Sequence, residues 1–262
     1  MPHSIPSPCA DGYVGTGEGG EAVLSLRLDA VIERRLLLNY RADPDVVAKL
    51  LPGPFRPRLR GEHAVVGICL LRLGRARPAG LPAAMGFGSE NAAHRFAVWW
   101  DAPDGPRSAL YIRRRDSASR MNVAAGGRLF PGVHHRAAFD VAEQADRLRV
   151  AYATDDGSTA VDVEVRVART LDDSVLFGDT GQASEFFQEG SVGWSAARSP
   201  DAFEGLRLAT DQWRIDPCVV DRAASSFYDD RGVFPAGSIE LDSALVMRKV
   251  RSRWSATETL RA

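Results

Sequence analysis

The chain has 262 residues, of which 45% are hydrophobic and 26% are charged, and its formal net charge at pH 7 is −1. This composition is typical of a globular protein, and the balanced charge gives no general attraction to nucleic acids or anionic membranes. No apolar run reaches the roughly eighteen residues that a membrane-spanning helix needs. We therefore expect neither a nucleic-acid partner nor a membrane partner.

The first twenty residues are rich in glycine, proline and serine and lack the basic and apolar regions of a secretory signal. We predict a flexible lead-in over residues 1–20, followed by a single domain over residues 21–262. The three cysteines, Cys9, Cys69 and Cys218, lie far apart and form no CxxC pair. Their spacing favours neither a disulfide framework nor a zinc site, and it predicts a cytoplasmic protein.

Beyond the lead-in, short apolar segments separated by turn residues predict a series of strands with few helices. The predicted strands are 21–29, 34–42, 63–73, 93–100, 109–113, 133–139, 148–153, 160–168, 206–215 and 239–247. One short helix is predicted after a cap at Asp43, a second within residues 117–127, and a third from a cap at Thr180 to Gly190. This order favours one α+β domain built on an antiparallel barrel or folded sheet.

A histidine pair stands where a glycine-rich segment enters the predicted strand 133–139. Because alternate side chains of a strand face opposite sides, His135 should face the apolar interior with Ala137 and Phe139, and His134 should face outward or toward a polar partner. Adjacent histidines cannot hold one metal ion from the same face, so we predict no metal site. A buried histidine that only hydrogen-bonds to its surroundings is the alternative for His135.

A second polar group precedes the tryptophan pair in the segment GSENAAHRFAVWW. Alternation places Glu90 and His94 on the same strand face as Phe96, whereas Arg95 faces the other side. A carboxylate and an imidazole that project into a pocket are suited to proton transfer. A salt-bridged strand edge is the alternative.

A run of three arginines occupies the segment YIRRRDS. Strict alternation would turn Arg114 inward with Ile112, and it would turn Tyr111 and the arginines on either side of Arg114 the other way. A buried guanidinium needs an anionic partner. Glu90, Glu185 or an acidic ligand could supply that partner.

The order and spacing of several segments resemble an uncharacterised bacterial branch of the acetoacetate decarboxylase-like superfamily. These segments are RRLLLNYRADPDVVAKLLPGPFRPRL, GSENAAHRFAVWW, YIRRRDS, GGRLFPGVHHRAAF, ASEFFQEGSVGWS and FPAGSIELDSALVMR. The resemblance covers nearly all of the chain from about residue 30. It implies a cone-shaped, mostly antiparallel β-barrel with an interior active site, a few short helices, and assembly into a homo-oligomer.

The founding enzymes of that superfamily form a Schiff base through a lysine. In their motif, a Gly-Arg pair is followed by a Lys-Lys pair that enters a strand. Here Gly127 and Arg128 match the first pair, and the lysine pair falls on His135 and Arg136, within one position. The resemblance therefore implies a member of the superfamily that lacks the Schiff-base lysine.

The chain contains only two lysines, Lys49 and Lys249, and neither lies in the matching segment. Without an imine, an inward imidazole could still act as general acid or base, so the predicted catalytic residues are His135 and Glu90, the latter matching a pocket glutamate of the family. The predicted substrate-binding residues are Arg114, Arg95, Arg128, His94, Tyr111, His134 and Glu185.

Two functions fit this set of residues. The first is a cofactor-independent lyase, dehydratase, cyclase or isomerase that acts on a small carboxylated or carbonyl metabolite. The second is a non-catalytic sensor or carrier that binds such a molecule in the same cavity. The enzyme is favoured if His135 and Glu90 face one water-accessible cavity, and the binding module is favoured if both are held in ion pairs.

Overall fold

The computed structural model describes residues 27–127 and 131–261. The strands in these ranges are β1 (Arg27–Ala42), β2 (Arg56–Pro57), β3 (Leu59–Arg60), β4 (His63–Pro78), β5 (Phe87–Ala102), β6 (Gly105–Ser117), β7 (His134–Gln144), β8 (Arg147–Thr154), β9 (Ala160–Val167), β10 (Val192–Ala196), β11 (Ala202–Thr210), β12 (Asp216–Ser225), β13 (Ile239–Ala256) and β14 (Leu260–Arg261). The helices are α1 (Pro44–Leu50), α2 (Arg120–Ala125) and α3 (Thr180–Glu189), with a 3-10 turn at Ala83–Met85.

Nine strands close into a ring in the order β6-β7-β8-β9-β12-β13-β1-β4-β5, because β5 pairs with β6 as well as with β4. All of these pairs are antiparallel except β6–β7, which is parallel. We call this closed sheet the nine-strand ring. Its interior is filled with apolar side chains contributed by all nine strands. The prediction of a closed, mostly antiparallel sheet with few short helices is confirmed.

A second ring shares five of these strands. β10 pairs with β6 and β11, and β11 pairs with β13, so that β6-β10-β11-β13-β1-β4-β5 also closes. We call it the seven-strand ring. The shared strands are therefore buried on both faces, which explains the unbroken apolar run in β1. There Leu36 and Leu38 face the nine-strand ring, whereas Leu37 faces the seven-strand ring.

Helix α3 packs against the seven-strand ring. Its apolar side chains Ala183, Phe186 and Phe187 are buried in the same cluster as Leu37 of β1 and Leu110 of β6. The helix thereby covers the region of the ring that lies near the middle of these shared strands. The start of β1 and the end of β13 lie away from this helix, and they line a cavity that is described below.

Several predicted boundaries differ from the observed ones. The strands predicted at 21–29 and 34–42 are one strand, β1, within the described residues, while positions 21–26 and the predicted lead-in 1–20 lie outside them. Helix α3 is capped by Asp179, whose carboxylate accepts from the Gln182 amide, rather than by Thr180, which is already helical. Strand β11 ends at Thr210.

Two of the longer strands, β10 and β12, were not predicted, and neither were the two-residue strands β2, β3 and β14. Both β10 and β12 have sequences in which small or polar residues interrupt the apolar alternation. Each pairs with a strand on either side, β10 with β6 and β11 and β12 with β9 and β13, so its place depends on tertiary pairing rather than on its own periodicity. In the described ranges, no helix is long and apolar enough to cross a membrane.

Candidate functional site

A cavity of about 100 Å³ lies inside the seven-strand ring, at the end away from α3. Strands β1, β4, β11 and β13 supply an apolar wall, and β5, β6, β7 and α2 supply the polar side chains. The lining residues are Leu28, Ala30, Cys69, Leu71, Leu73, Ala76, Phe87, Ser89, Asn91, Ala92, Ala93, Arg115, Asn122, His134, Leu206 and Trp254.

Among the described lining residues, Arg115 is the one with a permanently charged side chain, and His134 is the one other group that can take up a proton to become a cation. Its Nε donates a hydrogen bond to Ser195 Oγ at 3.0 Å, and among the described residues it forms no ion pair. Burial lowers the pKa of Arg115 to about 10, and the charge of Glu204 opposes that shift only in part. The side chain therefore stays positive at neutral pH without a carboxylate bound to it.

His134 lies directly beside Arg115, since the two residues pair across the parallel β6–β7 ladder. Nδ1 lies 3.0 Å from the carbonyl oxygen of Gly132, which can only accept, so Nδ1 carries the hydrogen and Nε2 is the basic nitrogen of the neutral ring. Burial and then the charge of Arg115 lower the pKa of His134 to about 4. The imidazole is therefore neutral at pH 7.

Two glycines of the motif GGRLFPGVHH make room for these side chains. A Cβ on Gly126 would stand 2.6 Å from His134 Nδ1. Gly132 has φ +81°, and a Cβ there would stand 2.8 Å from Arg115 Nε. Its amide also donates to Glu204 Oε2 at 2.9 Å. The absence of a Cβ at these two glycines thus allows the backbone before the histidine pair to approach the His134 and Arg115 side chains closely.

An amide and hydroxyl network forms the rest of the polar side of the cavity. Asn122 Nδ2 donates to Asn91 Oδ1 at 3.1 Å, and Ser117 Oγ donates to the same oxygen at 2.7 Å. Asn91 Nδ2 in turn donates to Ser89 Oγ at 2.9 Å. This network fixes α2 against β5 and β6, which holds the polar wall in place.

A separate polar cluster faces the nine-strand ring from the same strands. Arg114 Nε donates to Asp116 Oδ1 at 2.8 Å, and the Tyr152 hydroxyl donates to Asp116 Oδ2 at 3.2 Å. Burial raises the pKa of Asp116, and its bonds to Arg114 and Tyr152 oppose that shift. His135 pairs with Asp116 across the β6–β7 ladder and shares its strand face with Ala137 of the nine-strand core.

This arrangement corrects the predicted faces of the three arginines. A β-bulge leaves Arg113 without a partner on β5, so Arg114 pairs with His94 while Ile112 pairs with Arg95. Arg114 therefore faces the ring opposite to that of Ile112, and its carboxylate partner is Asp116 rather than Glu90 or Glu185. The same bulge turns Arg115 into the cavity.

Glu90 also faces the nine-strand ring and is held in ion pairs. One carboxylate oxygen lies 2.5 Å from Nη2 of the fully buried Arg34, and the other accepts from Arg72. Glu143 of β7 accepts from both arginines. The four charges form a compact network, and neither Glu90 nor His135 lines the cavity of the seven-strand ring.

The other predicted residues that the structure describes lie outside the cavity. His94, Arg95 and Tyr111 are buried in protein, and Tyr111 packs against aromatic rings. The Arg95 guanidinium stacks 4.6 Å from the centre of the Phe187 ring and donates to Asn39. Glu185 is exposed on α3. Arg128 lies outside the described residues.

The structure thus brings together Arg115 and His134, of which only His134 was among the predicted site residues. Strict alternation along the strand predicted Arg115 on the opposite face from Arg114, without a role. A β-bulge in one strand has no reliable signal in a single sequence, since any residue can occupy it. Asn122 and Trp254 were also missed, because neither stands near a recognisable motif.

His94 gives the fold a pH dependence that can be measured. Burial, followed by the charges of Arg114 and Arg113, lowers its pKa from 6.5 to about 3, and neither ring nitrogen has a hydrogen-bond partner among the described residues. The unfolded chain therefore binds a proton at this site at a higher pH than the folded protein does. We expect the free energy of unfolding to fall as the pH is lowered from 6.5 toward about 3.

Urea unfolding at a series of pH values measures this dependence. His94→Phe keeps a ring of similar size against Phe227, whose centre lies 5.4 Å away, and it removes the titrating group. The variant should therefore show a shallower fall in stability over that pH range. An unchanged slope would contradict the assignment of the lowered pKa to His94.

Among the described residues, no group of three or more His, Cys, Asp or Glu side chains is placed to hold a metal ion. The two lysines do not line the cavity either: Lys49 is exposed on α1, and Lys249 is exposed on β13. The groups available for chemistry in the cavity are thus an imidazole, a guanidinium, amides, a serine hydroxyl and the Cys69 thiol.

Comparison with protein families and solved structures gives one family and one fold. A sequence model of DUF2071, described as an uncharacterized conserved protein, matches residues 29–240. A search of curated proteins gives no significant match.

Three of the similar structures share between 11% and 14% of their residues with this chain. An acetoacetate decarboxylase-like enzyme from Sphingomonas wittichii RW1 aligns over 95% of this chain and 100% of its own, with a TM-score of 0.60 and 13% identity. The enduracididine biosynthesis enzyme MppR, solved with pyruvate, aligns over 90% of each chain with a TM-score of 0.61 and 11% identity.

The acetoacetate decarboxylase from Legionella pneumophila aligns over 99% of this chain and 92% of its own, with a TM-score of 0.58 and 14% identity. The acetoacetate decarboxylase-like fold that the sequence resemblance implied is thereby confirmed. At these identities the likeness concerns the fold alone.

Proposed function

The chain belongs to the DUF2071 family, and we propose that it binds a small carboxylated carbonyl compound in the cavity of the seven-strand ring and transfers a proton on it without a cofactor. In this proposal Arg115 holds the carboxylate and His134 is the general acid or base. The reaction is of the lyase or isomerase type, with an enol or enolate as the species that the proton transfer forms.

One observation carries this proposal: Arg115 is a positive charge at the wall of a cavity with no carboxylate of the described chain bound to it. A buried charge without a counterion is costly, and a ligand carboxylate would offset that cost. A guanidinium also matches the planar carboxylate with two parallel hydrogen bonds. An organic anion is therefore the ligand class that this wall favours.

His134 is placed to act on the anion that Arg115 holds. In the empty cavity its pKa is about 4, partly because of the Arg115 charge. A carboxylate bound to Arg115 would offset that charge and so raise the pKa of His134, while burial, the larger cause of the lowered pKa, would remain. Binding and activation of the base are thus linked.

The fold relatives support the carbonyl part of the proposal. Acetoacetate decarboxylases and MppR, which was solved with pyruvate, are enzymes with this fold. Imine chemistry is not part of the proposal, because both lysines of this chain are exposed and lie away from the cavity. Self-association, which the family resemblance implies, stays a prediction.

A binding module remains the second candidate, and a specific observation favours it. The lowered pKa of His134 makes it a weak base while the cavity is empty, and most of the wall is apolar. Capture of an acid would then need only Arg115 and the apolar wall. The catalytic roles predicted for His135 and Glu90 also stay open, and one assay separates all three cases.

The assay measures exchange of the C3 protons of pyruvate and 2-oxobutanoate for deuterium in D₂O by proton NMR. We expect the protein to accelerate exchange, and His134→Gln to reduce the acceleration by about 100-fold or more, since general acid–base groups contribute about that much. His135→Gln is the matched variant on the other face of β7. It should retain the exchange.

Each outcome has a defined meaning. Exchange that survives in His134→Gln would overturn the proposed role of His134. Exchange that is lost in His135→Gln would move the site to the nine-strand ring, as the sequence analysis predicted. Binding of the acids without exchange in the unmodified protein would establish the binding module in place of the enzyme.

A further inference from the structure

The cavity has two chemically different sides. The polar lining residues are supplied by β5, β6, α2 and β7: Ser89, Asn91, Arg115, Asn122 and His134. The remaining lining residues are apolar or nearly so: Leu28, Ala30, Cys69, Leu71, Leu73, Ala76, Phe87, Ala92, Ala93, Leu206 and Trp254.

The apolar wall has no side chain that could pair with a second charge on the ligand. Among the described lining residues, those of β1, β4, β11 and β13 offer no charged or amide side chain. A carboxylate placed against Leu28 and Trp254, which pair across β1 and β13, would lose its hydration without gaining a hydrogen bond from them, which is a large penalty. A hydrocarbon group in the same place would be stabilised by leaving water.

The volume limits the size of that hydrocarbon group. The cavity of about 100 Å³ is smaller than an apolar cavity of roughly 150 Å³ that accommodates benzene. A carboxylate bound at Arg115 would therefore leave room for a short chain and not for a long one. Trp254 of β13 forms part of the wall and limits the length on that side.

From this asymmetry we propose that the cavity selects monocarboxylates of about three to six carbons with an apolar chain, and rejects dicarboxylates of the same length. The inference rests on the proposed function for the position of the carboxylate, and it adds the chemical class of the substrate. Arg115 binds the head of the ligand, and Leu28 and Trp254 contact its chain.

The test is calorimetric titration of the full chain with propanoate, butanoate, pentanoate, hexanoate and succinate. Each added methylene should tighten binding about fourfold until the cavity is full, because burying one methylene contributes about 0.8 kcal/mol. Succinate should bind no more tightly than propanoate. A flat series, or succinate that binds like pentanoate, would overturn the inference.

A pair of tryptophan variants tests the wall directly. Trp254 and Trp213 are both partly buried against the core of the seven-strand ring, but only Trp254 lines the cavity. Because Trp254→Ala adds space to the cavity, affinity should keep rising to longer acids in this variant. We expect it to bind hexanoate at least about fivefold more tightly than the unmodified protein does. Trp213→Ala should leave the series unchanged. Equal effects of the two variants would contradict the assigned wall.

The failure of this inference can be told apart from failure of the proposed function. Acids that bind with equal affinity at every chain length, yet lose affinity in Arg115→Leu, would overturn the apolar selection and leave the anion site intact. Acids that bind equally well with and without Arg115 would overturn the anion site, and the inference with it.

Discussion

Arg115→Leu should weaken the binding of a small carboxylate by about 100-fold or more, while the protein becomes no less stable. The loss follows from two charge-assisted hydrogen bonds, each contributing about 1.5 kcal/mol or more. Stability should hold or rise because Arg115 is a partly buried cation without an ion pair among the described residues, and leucine removes the cost of its burial. Calorimetry and urea unfolding measure the two effects on the same sample.

The matched control is Arg113→Leu. Arg113 lies two positions away on the same strand, but it is exposed and does not line the cavity. It carries the same charge, so a general electrostatic attraction of acids would weaken similarly in both variants. Binding that falls only in Arg115→Leu would support a site at the cavity wall. A marked loss of stability in Arg115→Leu would contradict the description of Arg115 as an unpaired charge.

Arg34→Met should destabilise the protein by about 3 to 5 kcal/mol, which is the typical cost of removing one partner from a buried ion pair. The Arg34 side chain has no exposed surface, and it contacts the carboxylates of both Glu90 and Glu143. Methionine fills much of the volume but leaves the two carboxylates with one cation fewer. Urea unfolding at neutral pH measures the loss.

Arg72→Met is the control for this prediction, because Arg72 contacts the same two carboxylates. Its side chain is 37% exposed, so water can replace the lost contact, and a loss of about 1 kcal/mol or less is expected. Equal losses in the two variants would show that burial of Arg34 does not set the strength of the network. A small loss in Arg34→Met alone would mean that the carboxylates are solvated without it.

Glu90 illustrates how a correct local prediction can leave the function open. Its strand face was predicted from alternation, and it does share the interior of the nine-strand ring with Phe96. The sequence could not show that Arg34, 56 positions earlier, would approach within 2.5 Å of it. The Glu90 carboxylate, which the sequence presents as a candidate base, is thereby held between two guanidiniums, because β4 pairs with β1 on one side and with β5 on the other.

The sequence by itself determined the features that depend on neighbours along the chain. These include a series of strands with few helices, the Asp43 cap of α1, and the opposite orientation of His134 and His135. Alternation along a strand and hydrogen bonding at a helix start act over a few residues, so a single sequence contains them.

Only the tertiary structure showed that His134, and not His135, lines the cavity and that Arg115 lies beside it. A single barrel interior would give each strand one inward face, but two rings share a wall here and both faces of its strands are buried. The bulge at Arg113 and the parallel pairing of β6 with β7 then place Arg115 next to His134. Both depend on pairing between distant strands, which local periodicity does not specify.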